Sequence, residues 1–116
     1  MIKVTFLKKN GYYYGFRESG HAGYAESGED IVCSAVSAMT MLIINTVEIA
    51  YASDVDYTID DATADIKVVA LDALPETGAD EKKQFAISGL FYAYYIQLMD
   101  MLEDYYEYID VDEAEE

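Results

Sequence analysis

The hydrophobic period of this chain changes from two to about 3.6, and does so twice, which few architectures accommodate. Residues 2 to 7 alternate, with Ile2, Val4 and Phe6 facing one way and Lys3, Thr5 and Leu7 the other. Asn10-Gly11 follows, a pair suited to the positive φ of a tight hairpin turn, and Tyr12, Tyr14 and Phe16 resume the alternation. After a polar, glycine-rich stretch from Glu18 to Glu29, Val32, Val36, Met39, Ile43, Val47 and Ala50 recur at helical spacing. That spacing predicts a helix from about Asp30 to Tyr51, with Asp30 as its N-cap.

The pattern then repeats. Val55-Tyr57-Ile59, a polar turn, and Ile66-Val68-Ala70 predict a second hairpin; Pro75, Thr77 and Gly78 mark a loop. Phe91, Tyr95, Leu98 and Leu102 predict a second helix from about Asp80 to Asp104. Within it, the small pair Ser88-Gly89 predicts a close crossing against another element. Tyr106 to Val111 reads as a short closing strand. The expectation is an α+β two-layer sandwich in the order ββαββα with that extra strand. The sheet is mostly antiparallel, both long helices lie on one face, and residues 1–116 form one domain.

Composition bounds the function. With 23 acidic against 7 basic residues the net charge is −16, which argues against nucleic acid as a direct partner and for a basic protein or peptide. Simple solvation of an acidic surface explains the same number. No secretory leader pattern opens the chain, and the longest uncharged run, Ile31 to Val47, reads as short and polar for a membrane span. One cysteine allows no intrachain disulfide, which fits a reducing cytoplasm.

The stretch "SGHAGYAESGEDIVCSAVSAMTM" holds the chain's only histidine and only cysteine, His21 and Cys33, with Gly20, Gly23 and Gly28 around the histidine. A helix capped by Asp30 would place Cys33 at its third position, where the dipole and unpaired amides favour a thiolate. A nucleophilic thiolate needs an acid–base partner, and only His21 is available. The glycines would let the intervening loop fold back and let a peptide approach. The residues alone leave the alternative open, a cysteine that is a small buried hydrophobe beside an exposed, inert histidine. Asp30 has two readings as well, a cap or an orienter of the site. A metal site is the poorer idea, because no tight ligand spacing is present, and no cofactor is implied.

The run "GHAGYAESGEDIVCSAVS", with the "IKVTF" opening and the acidic end after "YIDV", resembles the ribosomal-processing cysteine protease family, Prp, along the whole chain. The resemblance implies an endopeptidase with Cys33 as catalytic cysteine and His21 as catalytic histidine, and Asp30 matches the family's aspartate. It implies a substrate, the N-terminal extension of large-subunit ribosomal protein L-twenty-seven, cut after paired phenylalanines. It also implies a homodimer and a moving histidine loop carrying Gly20, Gly23 and Gly28. Ser34 stands where the family pattern has alanine. Tyr12, Tyr13, Tyr14, Tyr24 and Tyr51 could line a cleft for such a peptide, though core packing is the commoner fate of tyrosine. The competing function is a non-enzymatic acidic module that binds a basic ribosomal or assembly protein.

Overall fold

The computed structural model describes residues 1–20, 27–60, 62–63 and 65–116. The first hairpin forms as the alternation predicts, β1 (Ile2–Lys9) and β2 (Tyr12–Ser19), joined by Asn10 and Gly11 at φ 51° and 86°. Helix α1 (Ser27–Asn45) runs on into a π-helical turn, Thr46–Ala50. The second hairpin is β3 (Asp56–Ile59) and β4 (Ile66–Val69). Short 3-10 turns at Leu71–Ala73 and Pro75–Thr77 lead to α2 (Glu81–Tyr105), whose N-cap Asp80 accepts from the Lys82 amide at 2.7 Å. Strand β5 (Ile109–Glu115) closes the chain.

The five strands lie in the order β3-β4-β2-β1-β5. All pairs are antiparallel except β1 with β5, which run parallel from Ile2↔Ile109 onward. Ile2, Val4 and Phe6 of β1, Phe16 of β2, Val68 of β4 and Ile109 of β5 share one buried face. Against it α2 sets Phe91, 5.8 Å from the Phe16 ring, and Tyr94, 5.1 Å from Phe16 and 5.4 Å from Phe6. Edge-on aromatic contacts of this kind add to the area they bury. α1 reaches the same face, since Thr40 and Tyr94 both donate to Glu18 of β2. Both helices therefore cover one side of the sheet. The opposite side carries the row Thr5↔Arg17↔Lys67↔Thr58 directly across the strands.

Several expectations change. The register slips between Leu7 and Lys8, so Tyr13, not Tyr12, turns inward with Phe16, and Leu7 is buried as well. On α2 the buried tyrosine is Tyr94 and not Tyr95, because Glu18 draws the Tyr94 hydroxyl in. Gly89 makes no close crossing: a Cβ there would meet nothing within 4 Å. With Ser88 it borders an open groove of about 400 Å³ between the hairpin tip and α2. The closing strand runs from Ile109, further along than expected, because its partner is the full length of β1. Counted from Asp30 to Ala50, the helical stretch of 21 residues is long and apolar enough to cross a membrane by length and composition. That exceeds what its uncharged run suggests. In the fold, Val32, Val36, Ile43, Ile44 and Val47 of this stretch sit in the core.

Candidate active site

α1 begins at Ser27, so Asp30 lies inside its first turn and does not cap it. Asp30 is exposed. The chain enters the helix earlier than the apolar pattern shows because the first turn, Ser27 to Asp30, contributes nothing to the stripe. Cys33 is then the seventh helical residue, in the second turn, and not the third. The dipole effect is concentrated in the first turn, and Cys33 lies beyond it. Cys33 is half-buried at the border of the apolar stripe, packed beside the core, with Val32 and Val36 fully buried next to it. Asp30 stands three residues before it, the spacing at which helical side chains are neighbours.

Gly20 ends β2 at φ 85°, and a Cβ on it would lie 2.1 Å from the Met1 carbonyl oxygen. Only glycine meets both conditions, and the backbone it admits is the chain's own. His21 and Gly23 lie outside the described residues, as does Tyr24, and Gly28 contributes its backbone to the start of α1.

Of the tyrosines considered for a cleft, Tyr13 and Tyr14 are buried. Tyr13 stacks on Tyr92 and Tyr95 at 5.2 and 5.5 Å and donates to the Glu113 carboxylate. Tyr51 packs half-buried against the core, and Tyr12 is exposed at the hairpin tip. Glu18 is the polar residue that the periodicity missed. It looked like the start of a polar loop, yet it is 1% exposed, and its Oε1 accepts from Thr40 Oγ1 and Tyr94 Oη, both at 2.7 Å. The signal was present, because Phe16 and Glu18 keep the two-residue period on the inward face. Burial, and then the charge of Glu18 beside it, push the Tyr94 phenol above its ordinary range. Among the described residues, no group of three or more His, Cys, Asp or Glu side chains could hold a metal ion.

Residues 1–110 match the family model described as cysteine protease Prp. The chain belongs to that family. It is a cysteine protease, and the reading as a non-enzymatic acidic module is set aside. No curated protein matches it in sequence. Its structure resembles SMU.848 from Streptococcus mutans, with a TM-score of 0.80 and 27% identity over 100% of this chain and 99% of that one. It also shares the fold of the essential ribosomal processing protease Prp from S. aureus in complex with a substrate peptide. There the TM-score is 0.79 and the identity 20%, over 98% of this chain and 100% of that one. The same S. aureus protease with a covalently linked product peptide gives 0.75 and 23%, over 98% and 100%.

Proposed function

We propose that this protease removes the N-terminal extension of large-subunit ribosomal protein L-twenty-seven, with Cys33 as nucleophile and His21 as acid and base. The observation that carries the reading is the family match, which spans both residues within 1–110. The S. aureus protease of the same fold, described as a ribosomal processing protease bound to a substrate peptide, supports the substrate class.

In this mechanism His21 takes the Cys33 proton, and the thiolate attacks the scissile carbonyl carbon. Backbone amides of the site hold the oxyanion. His21 then gives the proton to the departing amine, and water, activated by the same imidazole, releases the acyl-enzyme. Cys33 sits in the second turn of α1, and His21 is the acid–base partner in this reading. Asp30, exposed and three residues before Cys33, serves to orient the site, while Gly20 at the end of β2 and Gly28 in the first turn of α1 bracket the histidine loop that carries Gly23.

The reaction belongs in the cytoplasm, where a single reduced thiol persists and newly made ribosomal proteins are found. The working unit is a homodimer. Ile49 at 74% exposure, with Met41 and Leu42 on α1 and Ile96 and Met99 on α2, supports this as apolar surface on the outer side of the helix layer.

The test is incubation of the protein with a synthetic peptide spanning the ribosomal extension, read by mass spectrometry. One new product pair is expected with the wild type and none with Cys33→Ser or His21→Ala, whose melting temperatures stay near wild type. A folded Cys33→Ser protein that cuts at the wild-type rate would remove the nucleophile assignment. A peptide that stays intact with the wild type would remove the substrate.

A further inference from the structure

β3 forms one edge of the sheet, and all four of its residues are exposed. Which of its backbone groups face outward follows from the ladder. The Asp60 amide donates to the Asp65 carbonyl at 2.8 Å. Bonded and non-bonded pairs alternate in an antiparallel ladder, so the next bonded pairs along the register are Thr58↔Lys67 and Asp56↔Val69. Tyr57 and Ile59, opposite Val68 and Ile66, therefore turn N–H and C=O toward the open edge. Two outward donor–acceptor sets on one strand are the template that an extended chain pairs with.

Three further features say what that chain is. First, Tyr57 and Ile59 share a sheet face with Val68–Phe16 and Ile66–Glu18, the face covered by the helices, and they are 47% and 52% exposed. Glu18 on that face is bonded by Thr40 of α1, the helix that carries Cys33. Second, Ile59 lies level with Ile66 and Glu18, one residue before β2 ends, so the edge finishes where the chain departs toward His21. Third, Asp54, Asp56, Asp60 and Asp65 are all exposed, and Lys67 is the one cation between Ala52 and Ala70. Two copies of this edge would set aspartates against each other, whereas a basic chain meets a complementary field.

We propose that β3 is the substrate-recognition strand of the protease. An extended basic peptide adds beside it, exchanges main-chain hydrogen bonds with Tyr57 and Ile59, and lays alternate side chains against their two side chains. This deepens the proteolytic reading above and rests on it.

The experiment uses full-length Cys33→Ser protein and the ribosomal extension peptide, with amide hydrogen exchange read residue by residue. At saturating peptide the exchange of Tyr57 and Ile59 should slow by about tenfold or more, while Thr58, already bonded to β4, changes little. In the otherwise wild-type chain, Ile59→Pro deletes one outward N–H without touching the β4 ladder. It should raise KM about tenfold while iodoacetamide still alkylates Cys33 at the wild-type rate. A peptide that is cut by the wild type but leaves Tyr57 and Ile59 exchange unchanged overturns the edge and leaves the protease standing. A peptide neither bound nor cut removes the substrate reading and the edge with it.

Discussion

Glu18 is held between a strand and two helices, its Oε1 shared by the hydroxyls of Thr40 and Tyr94. Removing that carboxylate leaves two buried donors with only each other, 3.5 Å apart. Glu18→Ala should therefore destabilise the fold by about 2–3 kcal/mol, and Glu18→Gln by less, because an amide oxygen still accepts; urea unfolding measures both. Tyrosines here and elsewhere in the fold set an alkaline limit. Tyr94, Tyr13, Tyr14 and Tyr95 all have phenols pushed above their ordinary range, burial being the leading cause in each. Their folded forms hold protons that the unfolded chain gives up near pH 10. Stability is thus complete below that pH and falls above it, by at most about 1.4 kcal/mol per pH unit for each group. Tyr94→Phe should flatten this fall by about one proton when unfolding midpoints are compared between pH 9 and 11. An unchanged slope would mean that Tyr94 ionises in the folded state as readily as outside it.

At the scale of elements, two glycines make opposite predictions. Gly20→Ala puts a Cβ onto the Met1 carbonyl in a left-handed conformation and should cost several kcal/mol. Gly89→Ala sits mid-helix with open space around it and should raise stability by about 1 kcal/mol. Thermal melts of the two variants separate the cases. Periodicity located the first four strands and both helices; all of these but β3, whose four residues are exposed, bury one face, and a half-buried element must repeat with its own period. It misjudged what periodicity does not encode. The bulge at Leu7/Lys8 shifts which tyrosine faces inward, and the polar first turn of α1 is absent from the apolar stripe. The parallel partner of β1 lies too far along the chain for any local pattern to reveal. At the site, Cys33 was legible through its uniqueness and motif. Glu18 was not, because a charged residue reads as solvent-facing unless the strand period is carried one step further.

For the whole molecule, the net charge of −16 predicts a salt-sensitive encounter with a basic substrate. kcat/KM should fall several-fold between low and near-molar salt, and a flat profile would assign recognition to apolar contacts alone. The exposed apolar residues of the helix layer predict a light-scattering mass near twice the 13.0 kDa of the chain at tens of micromolar, and a monomer mass refutes the dimer. The parallel pairing of β1 with β5 has a temporal meaning too. β1 lies between β2 and β5, and residues that meet across it, such as Tyr13 and Glu113, are 100 positions apart in the chain. During synthesis the first hairpin can form early, but one flank of β1 stays bare until nearly everything else has emerged. Closing so long a loop is slow compared with hairpin formation. The complete sheet of a newly made molecule therefore waits on β5, so a chain stalled after α2 would expose the open side of β1 to whatever strand it met first.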